Sequence, residues 1–404
     1  MSFGKFLKWL ACLAVIAALI GSSAALFLWG LDAATRQRLA TPWLIWLLPL
    51  AGVAMGFYHR HLGKHVSSGN HVILGSVHKD GPEIPFALAP SILITTVVTH
   101  LFGGSAGREG TAVQMGAAIA AGFGKFFAGS RTAGTLLVFC GIAGGFGAVF
   151  GTPFAGAVFA LEFLGNRVVS PKLIPCLMTA LAADHVCRAW GIIHTPYPAI
   201  WLGHSPSAWL VIALKLALLA VIVALVCRLF VSSFHRTARK FREWFPHEAV
   251  RAGVGGVMII ALFLLCGTSD YLGLGTLAEH GKSLTLPGFL STETHAPATA
   301  WLWKLVFTVV TLSAGFKGGE VTPLFFIGAA LGNSLAWCLG APVGLFAGVS
   351  MIALFAAATR TPVASIVMGM ELLGWKLGVP LTLCTLIVVK LAGSASIYPK
   401  AEDL

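Results

Sequence analysis

The sequence predicts an all-α protein that crosses a membrane many times. Of its 404 residues, 57% are hydrophobic and only 10% are charged, and the mean hydropathy is +0.86. Long apolar runs, of which residues 207–230 are one, have the length that a bilayer span requires. The 47 glycines suit helices that pack closely in lipid or break within it. A soluble domain of this length would be far less apolar.

The apolar segments follow one another along the chain, most of them with short connections. A polar connector at residues 59–85 and a polar loop at 268–298 interrupt this order, and we expect the loop outside the cell. Residues 396–404 form a short tail, and no soluble domain is expected. The predicted membrane helices are 4–31, 41–58, 86–102, a helix from 109, 133–149, 154–165, 171–190, 207–243, 248–267, 299–314, 323–338, 342–358, 362–373 and 379–395.

The net charge of +12 indicates membrane orientation rather than nucleic-acid binding, because the basic residues lie in short loops between apolar segments. Short loops rich in lysine and arginine face the cytoplasm in membrane proteins. We therefore expect the densest basic cluster on the cytoplasmic side. Its members are His235, Arg236, Arg239, Lys240 and Arg242.

Several classes of function lack their sequence signals. The eight cysteines are scattered, without a CxxC pair or a Cys/His cluster, so the sequence predicts neither a metal site nor a disulfide framework. No HExxH motif and no paired aspartates occur in the apolar segments. An enzyme, a cofactor and a receptor with a separate ligand domain are therefore not expected.

An internal repeat divides the chain. TVVTHLFGGSAGREGT at 96–111 aligns with TVVTLSAGFKGGEVT at 308–322, which pairs Glu109 with Glu320. TPFAGAVFALEFLG at 152–165 aligns with TPVASIVMGMELLG at 361–374 at nearly the same offset. We predict two homologous halves, 1–200 and 201–404, each with broken helices. In repeat transporters, such paired broken helices mark the substrate site.

Residues 103–124 combine a glycine-rich break, Arg108, Glu109 and a helix of small apolar residues. A carboxylate at the start of a buried helix is costly in a membrane, and such groups mark ion or proton paths. A helix N-terminus is also an anion site. We therefore expect a small anion and a proton to meet here. The alternative is that Glu109 is only a helix-start carboxylate paired with Arg108.

Three motifs in this order resemble the CLC family of chloride channels and transporters. They are GREGT at 107–111, GTPFAG at 151–156 and GGEVTPLFFIGAALG at 318–332. The resemblance covers nearly the whole membrane part of the chain. It implies a CLC-type fold of two halves with inverted topology, and a homodimer with one pathway in each subunit.

Within these motifs, the chain differs from the chloride-handling members and resembles the bacterial fluoride/proton antiporters of the family. Chloride-handling members carry GREGP, GSGIP and GGxFxP, whereas this chain has GREGT, the stretch GNHVI at 69–73 and GGEVTP. The resemblance implies that Glu109 gates the path and carries the proton. It also implies that Asn70, Val321, Thr322 and Phe326 line the anion path and that Tyr398 closes its inner end.

Other residues are candidates with weaker signals. Gly107, Arg108 and Gly110 flank the predicted gate. His71 stands where an aromatic ring is expected, so it is a further candidate for the path. Lys215 lies centrally in an apolar run and could help a proton or an anion to pass. Snorkelling to the membrane surface is the expectation for both Lys215 and Lys304, and the role in transport is the alternative for Lys215.

The remaining membrane carboxylates receive structural interpretations. Phe163 occupies the position of the second, inner glutamate of proton-coupled chloride members, so the resemblance implies that an inner carboxylate relay is absent. Glu162 and Glu371 match across the repeat, and we expect them to brace their helices by hydrogen bonds. Glu320 could be a second gate, although a role at a helix start is favoured.

Taken together, the sequence predicts a fluoride/proton antiporter that exports fluoride across the bacterial cytoplasmic membrane, where lipid surrounds it. Its ligands would be fluoride and protons, and Asn70, Thr322 and Tyr398 can each donate a hydrogen bond to the anion. The alternative is a chloride/proton antiporter or a passive chloride channel with the same fold.

Overall fold

The protein is all-helical. The computed structural model describes residues 3–62, 69–77, 83–124, 131–165, 167–198, 200, 203, 206–277 and 284–398. Within these ranges the chain forms fifteen α-helices and no strand. Parts of the predicted polar connector (63–68 and 78–82), of the outer loop (278–283) and of the tail (399–404) lie outside the described residues.

The helices in chain order are α1 (Phe3–Ala40), α2 (Leu48–Leu62), α3 (Asn70–Ser76), α4 (Leu88–Leu101), α5 (Glu109–Gly122), α6 (Arg131–Phe150), α7 (Pro153–Phe163), α8 (Leu173–Ala189), α9 (Pro206–Trp244), α10 (Glu248–Cys266), α11 (Ala300–Ser313), α12 (Val321–Leu339), α13 (Val343–Thr359), α14 (Pro362–Leu373) and α15 (Gly378–Ala392). Short 3₁₀ turns occur at Pro42–Leu47, Gly288–Leu290 and Trp375–Leu377.

The helices confirm a multi-pass membrane protein and correct two predicted boundaries. Within the described ranges, seven helical segments are long and apolar enough to cross a membrane, and five apolar helices are shorter. The first helix does not end near residue 31 but continues to Ala40. The predicted connector at 59–85 is not wholly irregular, since it contains α3. That helix has only seven residues, so no periodic pattern marks it in the sequence.

The second repeat block begins corresponding helices in the two halves of the sequence. Pro153 and Pro362 are each the first residue of a helix, and Thr152 and Thr361 precede them. Proline suits this position because its fixed φ matches the helix and its missing N–H would have no partner there. The two TP dipeptides therefore start α7 and α14 at the same point of the repeat.

Glu162 and Glu371 lie in α7 and α14, and each side chain binds the N-terminus of the helix that contains the other. Glu162 of α7 accepts hydrogen bonds from the backbone N–H groups of Val363 (3.1 Å) and Ala364 (2.7 Å). Glu371 of α14 accepts from Phe154 (3.2 Å) and Ala155 (2.7 Å). A carboxylate at a helix N-terminus satisfies free donors and complements the helix dipole. The expected bracing role is therefore a reciprocal exchange between α7 and α14.

We expect Glu371→Gln to lower the free energy of unfolding by about 1–3 kcal/mol, because a charged acceptor of two backbone bonds is lost. The matched control is Glu243→Gln, since the side chain of Glu243 is 59% exposed beside Arg239 and exposed pairs contribute about 0–1 kcal/mol. Thermal unfolding in detergent measures both. Equal unfolding temperatures for the two variants would contradict a bracing role.

The two faces of the molecule are distinguished by α9 and α10. The basic cluster of residues 235–242 lies in the last turns of α9, and α10 begins only four residues after α9 ends. We call this end of the molecule the basic face. The loop that follows α10 therefore lies at the opposite face. His235 Nε2 donates to the carbonyl of Ser396 over 2.7 Å, so the C-terminal segment also lies at the basic face.

Candidate functional site

Two broken helices meet at the centre of the molecule. The chain breaks between α4 and α5 and again between α11 and α12, and each break contains a glycine with positive φ: Gly103 at 91° and Gly315 at 102°. These glycines are equivalent in the repeat. The positive φ favours glycine because a Cβ would be strained in that conformation. The repeat therefore preserves the backbone turn that breaks each helix.

The two breaks are joined backbone to backbone. Gly107 and Gly319 exchange two hydrogen bonds, of 2.5 Å from the Gly107 N–H and 2.7 Å from the Gly319 N–H. A Cβ on Gly319 would lie 2.6 Å from the backbone nitrogen of Gly110, and one on Gly107 would lie 2.9 Å from the Gly319 oxygen. This contact therefore requires residues without side chains, and it holds the starts of α5 and α12 together.

Side chains fix the first break against α11. Ser105 Oγ lies 3.1 Å from Thr308 Oγ1, and the Ser105 N–H donates to Thr311 Oγ1 over 3.1 Å. The ring of His100 bridges the carbonyls of Thr96 (2.8 Å) and Ala106 (3.0 Å). All these groups are buried. Because their polar atoms are paired, the break is held rigidly within an apolar surrounding.

Glu109 is the first residue of α5, and its carboxylate binds the start of α12. Its side chain is 1% exposed. Oε2 accepts from the backbone N–H groups of Thr322 (3.1 Å) and Arg108 (3.0 Å), and Oε1 accepts from the Thr322 hydroxyl. The Arg108 guanidinium lies 3.5 Å away and supplies a counter-charge. The carboxylate therefore occupies a small anion site formed by backbone and hydroxyl donors at a helix N-terminus.

A cavity of about 150 Å³ lies on the basic-face side of this contact. We call it the chamber. It is lined by Asn70, His71, Phe230, Phe234, Glu320, Ile397 and Tyr398. Phe234 is one residue before His235 of the basic cluster, so the chamber lies towards the basic face.

A larger cavity of about 590 Å³ lies on the other side, and we call it the vestibule. Arg108, which contacts the Glu109 carboxylate, lines the vestibule together with Leu277 from the loop after α10. Glu320, two residues before Thr322, lines the chamber. The Glu109–Thr322 contact therefore separates two cavities that lead towards opposite faces.

Three of the predicted anion-path residues are brought together in or beside the chamber. Asn70 and Tyr398 line it, although they are far apart in sequence, and Asn70 is the first residue of α3. The Asn70 Oδ1 atom is buried and has no hydrogen-bond partner. Thr322 is two residues after Glu320, which also lines the chamber, and its N–H donates to Glu109. Val321 is 1% exposed in the first turn of α12. Their roles in transport stay predictions.

Glu320 has a position that the sequence did not favour. It is the N-cap of α12, as a helix-start residue would be, but it also lines the chamber and faces the hydroxyl of Tyr398. A Cβ on Gly110 would lie 3.7 Å from its Oε2 atom. The carboxyl group is therefore next to the first turn of α5. In the sequence, the alignment of Glu320 with Glu109 in the repeat was the observation that pointed to this position.

Phe163 and Phe326 lie on different sides of the site. The ring of Phe163 packs edge-on against Tyr398, with centroids 5.0 Å apart. An apolar ring therefore stands beside the chamber. Phe326 is fully buried, and its ring contacts are with Phe289 (4.9 Å) and Tyr271 (6.3 Å). Its predicted place on the anion path is not tested by these contacts.

One of the two membrane lysines, Lys304, corrects the sequence interpretation. Lys304 does not snorkel, because it is fully buried and donates to the carbonyls of Gly273 (2.7 Å) and Tyr271 (3.1 Å). Its ammonium also lies 5.3 Å from the ring centre of Phe326. Lys215 is the less buried of the two and donates to the carbonyl of Gly340 over 3.0 Å. That carbonyl ends α12, so the charge complements the helix dipole there.

At the donors of Thr322, another anion can take the place of the Glu109 carboxylate. When Glu109 is ionised, its carboxylate occupies the donors of Thr322; a neutral carboxyl would compete for them less strongly. Another anion could then reach the same donors from the chamber. In the described part of the chain, no group of three or more His, Cys, Asp or Glu side chains could hold a metal ion.

Comparisons with known proteins all indicate the same family. The sequence profile of the family described as "Voltage gated chloride channel" matches residues 50–392. The chain is 40% identical over 394 residues to the "Chloride/fluoride channel protein" of Pseudomonas syringae pv. tomato, covering 97% of this chain and 85% of that protein.

Two solved structures share the fold. A "CLC-type fluoride/proton antiporter" superimposes with a TM-score of 0.89 at 30% identity, covering 99% of this chain and 98% of that one. A "slow cyanobacterial Cl-/H+ antiporter" gives 0.80 at 18% identity, covering 95% and 93%; at this identity the likeness concerns the fold alone. The profile, the relative and the fold agree with the motifs, and the chain belongs to the CLC family of ion channels and transporters, whose members are not enzymes.

Proposed function

We propose that this chain is a fluoride/proton antiporter in which Glu109 alternates between closing the anion path and carrying a proton. Fluoride would leave the cytoplasm through the chamber, and protons would enter through the vestibule. The inward movement of protons would drive the export of fluoride, and this export would protect the cell from fluoride.

One observation carries this proposal: the Glu109 carboxylate already occupies an anion site. Its donors are the N–H and O–H groups of Thr322 and the N–H of Arg108. Protonation removes the negative charge that these donors stabilise, so the carboxyl group can leave and an anion can replace it. When the anion leaves, the carboxyl group loses its proton and returns. Because one carboxyl group carries the proton, each such cycle moves one anion against one proton.

Fluoride rather than chloride is favoured by the chemistry of the donors. Fluoride is small and strongly hydrated, so its water must be replaced by several close hydrogen-bond donors. The path offers the hydroxyl groups of Thr322 and Tyr398 and the amide of Asn70. The chain also resembles proteins described as a chloride/fluoride channel and a fluoride/proton antiporter. These similarities support fluoride as the substrate.

Transport by the purified protein in liposomes tests this function. A fluoride electrode follows the anion, and a pH-sensitive dye follows the proton. We expect a fluoride gradient to drive protons uphill, and we expect chloride to be transported much more slowly. Chloride transport as fast as fluoride transport would favour the alternative, a chloride/proton antiporter. Anion flux without proton movement would favour a passive channel.

The cellular setting follows from the same proposal. The basic face would lie in the cytoplasm, as the positive-inside rule requires, and the protein would reside in the bacterial inner membrane. We also propose that residues 1–200 and 201–404 are two homologous halves of inverted topology. The reciprocal bonds of Glu162 and Glu371 support this division. A homodimer with one pathway per subunit is part of the proposal, and crosslinking in native membranes tests it.

A further inference from the structure

Among the residues that the structure describes, one ionisable side chain of the chamber also reaches the surface of the protein. His71, the second residue of α3, lines the chamber, and its side chain is exposed. Glu320 and Tyr398 also line the chamber, but both are only partly exposed. His71 therefore contacts the interior of the chamber and the solvent of the basic face at the same time.

A proton that enters through Glu109 needs an acceptor on the basic-face side. The position of an inner carboxylate is occupied by Phe163, whose ring packs against Tyr398 and cannot bind a proton. In the described part of the chain, the ionisable groups that line the chamber are Glu320, Tyr398 and His71. A tyrosine hydroxyl has an ordinary pKa of about 10, whereas a histidine ring changes its charge near pH 6.5. Histidine is thus the group suited to rapid exchange with cytoplasmic water.

We propose that His71 is the residue through which the proton passes from the chamber to the cytoplasm. The inference rests on the proposed antiport. A proton from the chamber binds one ring nitrogen of neutral His71, either directly from the Glu320 carboxyl group or through water. The imidazolium then releases the proton of its other ring nitrogen to the solvent. One N–H bond forms and one breaks, so the ring returns to the neutral state as the other tautomer.

The charges around His71 suit a residue that releases a proton quickly. Burial and, after it, the positive charge of Arg242 on α9 lower the pKa of His71. Across the chamber stand Glu320, which can supply a proton, and Tyr398. From α5, which packs against α3, Glu109 is engaged with Thr322 and Gln114 is uncharged. Because Arg242 repels an imidazolium ring, the proton would not remain on His71.

The first test is His71→Gln, which keeps a polar side chain but cannot carry a proton at neutral pH. We expect fluoride-driven proton flux in liposomes to fall about 100-fold, the lower end of the range for general acid–base effects. The pH dependence of that flux below pH 6.5 should also flatten, because the pKa of His71 lies below its ordinary value. His61→Gln is the matched control, since His61 is exposed near the end of α2 and does not line the chamber. It should leave the flux unchanged.

Two further variants separate proton transfer from other roles. His71→Glu should restore much of the proton flux, with its pH dependence moved to lower pH, which a merely structural role would not produce. In the Glu109→Gln background, His71→Gln should lower fluoride flux by far less than it lowers proton flux in the otherwise unchanged protein, because His71 lines the fluoride path but carries only the proton. Wild-type proton flux in His71→Gln, or an equal loss of fluoride flux in the double variant, would overturn the inference. Proton coupling that persists in Glu109→Gln would instead overturn the proposed antiport.

Discussion

Glu109→Gln is expected to abolish proton transport while fluoride still passes down its gradient. Glutamine has nearly the same shape as glutamate but cannot bind and release a proton at physiological pH. Its amide also carries no negative charge for the donors of Thr322 and Arg108. The anion site would then be open to fluoride at all times. We expect the fluoride-driven proton flux to fall about 100-fold or more, as for the loss of an essential acid–base group.

The measurement is the ratio of proton flux to fluoride flux in liposomes, because a ratio is independent of how much protein is active. Glu162→Gln is the matched control. Glu162 is also a membrane carboxylate, but it binds the backbone of Val363 and Ala364 rather than the anion site. That variant should lose stability and keep its coupling ratio. A normal ratio in Glu109→Gln would mean that another group carries the proton.

The sequence predicted the parts of the site that depend on local signals. The glycine-rich break and the following small residues located the start of α5 at Glu109. The repeat paired Glu109 with Glu320 at the opposing helix, which begins at Val321, two residues before the predicted start at 323. Because both features lie within about fifteen residues, turn chemistry and hydropathy are sufficient to find them.

Other parts of the site depend on contacts between distant residues, and these could not be predicted. Lys304 is paired with carbonyls of the loop at Tyr271 and Gly273, which are about thirty residues away. A lysine in an apolar helix gives no local sign of such a partner. Likewise, Glu320 meets Tyr398 only through the fold. Hydropathy describes how a helix faces lipid, but it does not describe which buried polar groups will pair.

Gly319→Ala is expected to reduce both fluoride and proton transport strongly. The new methyl group would lie 2.6 Å from the backbone nitrogen of Gly110 and 3.2 Å from that of Glu109. Because these atoms belong to the start of α5, relief of the clash requires α5 and α12 to separate. A displacement of about 1 Å at a reacting group can cost about 100-fold in rate. We expect a loss of that size in both fluxes.

Gly134→Ala is the matched control for this change. Gly134 lies in α6, and no atom lies within 4 Å of the Cβ that alanine would add there. Alanine in a helix should raise stability by up to about 1 kcal/mol and leave transport intact. Fluoride flux and thermal unfolding are measured for both variants. Wild-type flux in Gly319→Ala would contradict the close contact between the two breaks.

Comparing Gly319→Ala with Glu109→Gln distinguishes damage to the anion site from loss of its gate. In Glu109→Gln the donors of Thr322 remain in position, so an anion can still bind, and only the proton is lost. In Gly319→Ala the start of α12 moves with Thr322, so neither the carboxylate nor fluoride finds its donors. If Gly319→Ala loses both fluxes and Glu109→Gln loses proton flux alone, then the gate and the anion must share one set of donors. That sharing is the physical basis of coupling in the proposed antiporter, since two negative groups cannot occupy the same donors at the same time.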